Sequence, residues 1–265
     1  MNEIQLFLNH ASEVLYSDDR ILAVCAAGSW ITHEIDMYSD LDLVLVTNEN
    51  ISASKDEMIK IASRLGSLTA GFTGEHVGEN RLLICLYENP LLHVDLKFVQ
   101  IDDYDIRVEN PVIIWEKNNV VTSIYEKTIA KWPVPDYQWI EDRFWVWIHY
   151  AATKLGRGEL FETIDFLSFL RTNVLGPLLH MKYNSLPRGV RKIEFIVNGK
   201  DLTRLTKTLP AYSHESIKAS LFEIIALYKE LRKLLYDHTV IRSDKAEKQS
   251  LSYLKNHCPP EPAQV

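Results

Sequence analysis

Residues 27–43, AGSWITHEIDMYSDLDL, bring a Gly-Ser pair and an Asp-Leu-Asp triplet into one short stretch. Gly28 has no Cβ, so a phosphate can approach the backbone there, and the Ser29 hydroxyl can bond a phosphate oxygen. Ten residues, Trp30 to Ser39, separate the pair from Asp40. Asp40 and Asp42 fall on one face of the strand that Leu41–Val46 (LDLVLV) predicts, because strand side chains alternate. Two carboxylates this close repel each other unless a cation sits between them, and Mg²⁺ takes oxygen ligands of this kind. Such an ion could bridge phosphate oxygens and neutralise charge on a leaving pyrophosphate. A third acid, Asp95, lies within His93-Val-Asp-Leu-Lys97, where alternation puts His93, Asp95 and Lys97 on one face. A charged row on so apolar a strand needs solvent, pairing or a ligand. An ion pair of Asp95 with Lys97 or Arg81 is the competing reading.

The elements that must hold these residues can be read from periodicity. Residues 3–16 carry a helical apolar stripe, and Ile21–Ala27 (ILAVCAA) reads as a buried strand broken by Gly28-Ser29. Ser52 or Ser54 is expected to cap a helix reaching Leu65, with Ser54 and Glu57 in a capping-box pattern and Gly66 as the stop. Gly71, Gly74 and Gly78 mark a turn-rich passage. Arg81–Tyr87 and Leu92–Val99 predict consecutive strands joined at Glu88-Asn89-Pro90, and Pro111–Trp115 one more. Trp132-Pro133-Val134-Pro135 is a stiff connector, after which helices are expected over 137–155, 159–183, 213–238 and 243–257. The expectation is an α+β fold: a mixed sheet flanked by helices in 1–132, an all-α bundle in 133–257, and a disordered tail at 258–265.

Of the 265 residues, 29 are Lys or Arg and 36 are Asp or Glu, for a net charge of −7. That balance argues against sequence-independent nucleic-acid binding, which needs a basic face, and favours a cationic partner. Cys25, Cys85 and Cys258 form no CxxC pair, which suits a reducing compartment and excludes a disulfide framework or cysteine zinc site. The opening MNEIQLFLNHASEVL lacks the regions of a secretory signal, and no apolar run reaches the roughly 18 residues of a membrane span. A soluble cytoplasmic protein without membrane partner is expected.

Ala27-Gly28-Ser29, the ten-residue gap, Asp40-Leu41-Asp42-Leu43 and the later Asp95 together resemble the nucleotidyltransferase superfamily with a polymerase-beta-like core. With a C-terminal helical bundle, the chain looks most like the aminoglycoside and lincosamide adenylyltransferases that modify antibiotics. The resemblance is close over 27–43 and 91–99 and architectural elsewhere. It implies that Gly28 and Ser29 hold the triphosphate of ATP or another NTP, and that Asp40 and Asp42 bind Mg²⁺. Asp95 would complete the metal site or act as general base on the acceptor hydroxyl, the NMP passing to a small hydroxylated molecule with release of pyrophosphate. A polycationic acceptor would suit the −7 charge, whereas a neutral lincosamide would not need it. The same fold modifying a protein or metabolite, or binding nucleotide without chemistry, is the alternative.

One departure stands out. Many relatives carry Arg or Lys soon after the Gly-Ser, but here none occurs before Lys55, so triphosphate charge must be met by metal and by distant cations. Lys154, where the first C-terminal helix ends, is one candidate by analogy with the family's bundles; the helix dipole is the alternative explanation for Lys154 and Arg157. Arg188, Arg191 and Lys192 form a second basic cluster. The aromatic segment Tyr137–Tyr150 reads as interdomain core or as a stacking platform. Glu159, Glu162 and Asp165 read as a solvated helix face or as contacts to a cationic acceptor. His33 and His93, without a second His at i+4 or a nearby Cys, read as ordinary polar residues.

Overall fold

A computed structural model describes residues 3–257; the tail expected to be disordered at 258–265 lies outside the described residues. The chain divides into two compact units, Met1–Trp132 and Pro133–Val265.

In the first unit, α1 (Glu3–Tyr16) forms because Ile4, Phe7, Leu8, Ala11 and Leu15 recur at helical spacing and bury together. It is followed by β1 (Ile21–Ala26), a short α2 (Ser29–Thr32), β2 (Leu41–Thr47), α3 (Lys55–Ala62), β3 (Ser67–Gly74), β4 (Glu79–Glu88), β5 (Leu92–Gln100), β6 (Val112–Glu116) and α4 (Val120–Lys127). The strands form one mixed sheet in the order β3-β4-β5-β2-β1-β6. β2 and β5 run parallel, and the other neighbours are antiparallel. Alternation gives this sheet two unlike faces. Leu41, Leu43 and Leu45 of β2 and Val94, Leu96 and Phe98 of β5 share a core with α1 and α3. Burial is worth about 1.5–3 kcal/mol per large apolar side chain, so this helix-covered face fixes the sheet. The opposite face packs Val44, Val46 and Val99 against Tyr104 and against Val121 of α4, and alternation brings Asp42 and Asp95 to the same face.

Three local expectations are corrected here. The passage marked by Gly71, Gly74 and Gly78 is not all turn: β3 occupies it, an edge strand whose largely exposed face carries little apolar signal. Gly71 is where α3 comes closest, since a Cβ would lie 2.6 Å from Ile59 Cδ1. The helix expected to reach Leu65 ends at Ala62, and its capping is one-sided. Ser54 Oγ accepts the Glu57 N–H at 3.4 Å, while the Glu57 carboxylate turns to Lys60 at 2.6 Å and Arg20 at 3.3 Å. Helix α4, rich in β-branched residues and unpredicted, is capped from outside itself. Glu116 accepts the N–H groups of Val121 and Thr122 at 2.8 and 3.0 Å.

The second unit is helical, as expected: α5 (Tyr137–Gly156), α6 (Leu160–Leu170), α7 (Gly176–Lys182), α8 (Ile193–Ile196), α9 (Gly199–Thr206), α10 (His214–Leu235) and α11 (Asp244–His257). The single helix expected over 159–183 is two, joined by a π-type turn at Arg171–Leu175. Pro177 follows at the start of α7 and has no N–H to return to the preceding turn. The aromatic segment of α5 is the core of this unit. Phe144 stacks on Tyr228 with ring centroids 3.6 Å apart, and Trp145 is buried beside both. Among the described residues no helix is long and apolar enough to cross a membrane.

Candidate active site

The Gly-Ser turn is seated on an acid. Gly28 has φ +58° and ψ −128°, a conformation that L side chains rarely adopt. A Cβ there would lie 2.0 Å from Asp42 Oδ2 and 3.1 Å from its Cγ. The Ala27 N–H donates to the Asp42 carbonyl at 2.9 Å, so β1 hands the turn directly to the β2 carboxylate. Ser29 opens α2, and its Oγ is shielded from solvent with no hydrogen-bond partner. Leaving a buried hydroxyl unmet costs about 1–3 kcal/mol, which a ligand oxygen would relieve. The loop before Asp40 is ordered by its own side chains. Asp36 Oδ1 accepts from Tyr38 N–H at 2.8 Å and from Ser39 Oγ at 3.1 Å, while the Asp36 N–H donates to Ser39 Oγ at 2.9 Å.

Asp42 and Asp95 are register partners on the parallel strands β2 and β5, which puts them side by side on one face. The Asp95 carboxyl is pushed above the usual carboxylate range, chiefly by burial. Its contact with His93 opposes that rise, and the charge of Asp40 adds to it. Asp40 is thus close enough for its charge to reach Asp95. His93 Nε2 lies 2.9 Å from Asp95 Oδ1, a pairing that the alternation of β5 makes possible although His93 has no metal-ligand spacing. Neither Lys97 nor Arg81 pairs with Asp95. Both go to Glu79: Lys97 Nζ lies 2.7 Å from its Oε2, and Arg81 Nε lies 2.8 Å from its Oε1.

Glu79, Arg81 and Lys97 line a cavity of about 610 Å³ that also includes Ala27, Val44 and Tyr104. That volume falls within the roughly 300–1,000 Å³ typical of small-molecule sites. It lies wholly within the first unit, beginning at the residue before Gly28. Among the described residues no group of three His, Cys, Asp or Glu side chains is arranged to hold a metal ion. Asp42 and Asp95, neighbours in the β2–β5 register, are the carboxylates that could contribute to an Mg²⁺ site, since that ion is commonly held by one or two carboxylates, waters and substrate phosphates.

The remaining sequence candidates fall elsewhere. Lys154 lies on α5 in the second unit, its Nζ 2.6 Å from Glu159 Oε2, and Arg157 reaches the same carboxylate at 3.6 Å. Glu162 receives the Tyr150 hydroxyl. Arg188, Arg191 and Lys192 precede α8 in a turn-rich segment. His33 ends α2 in the left-handed conformation with φ 56°. In α5 the outward aromatics pair locally, Trp139 beneath Arg143 and Trp147 against Phe169.

The family model for streptomycin adenylyltransferase matches residues 1–257. Among solved structures, the chain is similar to an aminoglycoside 6-adenyltransferase from Bacillus subtilis, with 18% identity over 98% of this chain and 100% of that one and a TM-score of 0.41. A nucleotidyltransferase-like protein from Exiguobacterium sibiricum shares 12% identity over 96% of this chain and 89% of that one, with a TM-score of 0.40. A spectinomycin adenyltransferase from Enterococcus faecialis, solved with ATP and spectinomycin, shares 12% identity over 96% and 98%, with a TM-score of 0.31. Comparison with curated proteins returns no match.

Proposed function

Because the chain belongs to the streptomycin adenylyltransferase family, and is therefore a nucleotidyltransferase, we propose that it moves AMP from ATP to a hydroxyl of a small, cationic, aminoglycoside-like acceptor and releases pyrophosphate. Residues 1–132 serve as the catalytic domain and 133–257 as the helical domain. The observation that carries the reading is the seating of Gly28 on Asp42, whose Oδ2 lies 2.0 Å from where a Cβ would be, with Asp95 in register beside it. A phosphate-approachable turn and a carboxylate pair are thereby one rigid object, as in-line phosphoryl chemistry requires.

In this reading Gly28 and Ser29 receive the triphosphate, the Ser29 hydroxyl donating to a phosphate oxygen. Asp40 and Asp42, with Asp95 adjoining, would hold Mg²⁺. When bound, that ion supplies charge neutralisation for the phosphates and the departing pyrophosphate. Asp95 serves as the base. Burial raises its proton affinity, and His93 occupies Oδ1, leaving Oδ2 to take the proton of the acceptor hydroxyl as it attacks the α-phosphorus. The Lys154 ammonium is held by Glu159 within the second unit. The net charge of −7 supports a cationic acceptor over a neutral one.

The test is ATP-dependent pyrophosphate release with Mg²⁺ across a panel containing streptomycin, other aminocyclitols and a neutral lincosamide. Turnover with the cationic compounds is expected, and its loss in a folded Asp42→Asn variant. Full turnover in that variant refutes the role of Asp42. Transfer only to protein or metabolite hydroxyls refutes the acceptor, and ATP binding without any transfer refutes the activity.

A further inference from the structure

A triphosphate needs cations, yet no Arg or Lys stands between Ser29 and Lys55. The first unit provides them from another strand. Lys97 faces Val44 in the β2–β5 register just as Asp95 faces Asp42. It is therefore two residues along the same face, about 7 Å from Asp95 at the usual strand rise. Lys97 and Arg81 line the cavity whose wall also includes Ala27, the residue before the Gly-Ser turn. Both converge on one carboxylate, with Glu79 Oε2 2.7 Å from Lys97 Nζ and 2.8 Å from Arg81 Nη2. All three side chains are partly exposed, at 36% for Lys97, 38% for Arg81 and 25% for Glu79, so an incoming anion can reach them.

Resting on the functional reading above, we propose that Lys97 and Arg81 receive the phosphates of the nucleotide, and that Glu79 is an internal anion which those phosphates displace. Two cations share a single carboxylate, so the cluster carries one net positive charge before any ligand arrives. A phosphate chain offers more oxygens and more negative charge than Glu79, and the guanidinium fork suits it geometrically. The neighbouring cation Arg107 cannot take this role as it stands. Its guanidinium is held by Asn110 at 2.7 Å and by the Thr128 carbonyl at 3.0 Å, over the Tyr125 ring. Glu79 is a strong competitor, its carboxyl held down to about 2 chiefly by Arg81. It therefore stays ionised throughout the working range and keeps both cations extended into the cavity when nucleotide is absent.

Calorimetric titration of ATP and of adenosine, with Mg²⁺ present, separates a phosphate site from a structural ion pair. Lys97→Met is expected to weaken ATP about 10- to 100-fold, the loss of one charge-assisted hydrogen bond, while adenosine changes less than about twofold. Lys97→Arg should recover most of the ATP affinity. Glu79→Gln removes the competitor and should tighten ATP without tightening adenosine. The proposal is overturned by equal ATP affinity in wild type and Lys97→Met, by parallel loss of ATP and adenosine, or by Glu79→Gln weakening ATP. A raised acceptor KM with unchanged ATP KM in Lys97→Met would assign the cavity to the acceptor and overturn it as well. If the wild type binds no ATP, the functional reading itself falls. If it binds ATP and the Lys97 and Glu79 variants do not differ from it, only the displacement scheme falls.

Discussion

Replacing Gly28 by alanine tests the seating of the Gly-Ser turn on Asp42. Two costs add. Holding an L residue near φ +58° and ψ −128° costs about 1–3 kcal/mol. The new methyl would sit 2.0 Å from Asp42 Oδ2, and turning that carboxylate off its rotamer costs about 0.5–1.5 kcal/mol more. The expected loss of stability is about 1.5–4.5 kcal/mol, read as a lower urea midpoint at unchanged slope. Turnover should fall further than folding does, because moving a reacting group by about 1 Å costs on the order of 100-fold. The double variant Gly28→Ala/Asp42→Ala separates the two terms. Without the carboxylate the clash disappears and only the backbone strain remains, so the double variant should be more stable than the two single effects sum to, while staying inactive. The reasoning fails if Gly28→Ala matches wild type in midpoint and turnover, or if the two substitutions are additive in stability.

Asp95→Asn should lower kcat by about 100- to 10,000-fold, the usual contribution of a general base. Because burial raises the Asp95 pKa, the acidic limb of the wild-type kcat/KM profile should lie above the ordinary carboxylate range. The same shift has a stability sign: the folded state binds the proton more tightly than the unfolded one, so wild-type stability falls as pH rises through this range. Asp95→Asn should thus be the more stable protein at neutral pH, an advantage that shrinks on acidification, measured by urea unfolding at several pH values. Equal stability at neutral pH, or an unmoved acidic limb, counts against the assignment. Glu141 is a contrasting acid. It is fully buried and accepts from Tyr228 Oη at 2.6 Å, Arg232 Nη1 at 3.0 Å and Ser243 N–H at 3.0 Å. Glu141→Ala should cost about 3–5 kcal/mol, towards the lower end because Glu247 still pairs with Arg232 at 2.7 Å, while ATP affinity of the folded protein is unchanged.

What was legible in the chain is what is local. Gly28, Ser29, Asp40 and Asp42 fall within fifteen residues of sequence, and alternation groups Asp95 with His93 and Lys97 on one face of β5, whereas its place beside Asp42 is set by the β2–β5 register. The apolar stripes of α1, α5 and α10 announced themselves for the same reason, each helix burying one face at regular spacing. Features that depend on register or on distant partners did not. Glu79 sits beyond the residues of β4 that pair with β5, Leu82–Tyr87, so nothing in periodicity tied it to Lys97. Lys97 and Arg81 are the cations that sequence proximity and alternation offer to Asp95, yet both belong to Glu79. Helix α4 has its N-terminus capped by Glu116 from the preceding strand, a device invisible to a search for a cap at the helix itself. The interruption of 159–183 was written at Pro177, but its form, a π-type turn that lets the two helices follow one another, is a consequence of packing.

The polar groups also distinguish scaffold from site. Glu141 and Asp201 are buried acids, and each is answered several times over: Asp201 receives the Tyr183 hydroxyl at 2.8 Å and the Lys182 ammonium at 2.6 Å. Such networks fix helices against one another and leave nothing for a ligand to improve. An unmet donor by itself does not mark a site, since Ser12 Oγ and Trp115 Nε1 are also buried without partners. Ser29 differs by its setting. Its unmet hydroxyl adjoins a glycine that admits no side chain, beside a carboxylate packed against that glycine, in register with an acid whose ionisation is disfavoured by burial and by a neighbouring charge. A phosphate oxygen would satisfy the hydroxyl, and a cation would relieve the carboxylates. The unmet Ser29 hydroxyl and the disfavoured ionisation of Asp95 are present in the folded chain, so a ligand answering both would recover free energy that packing alone cannot.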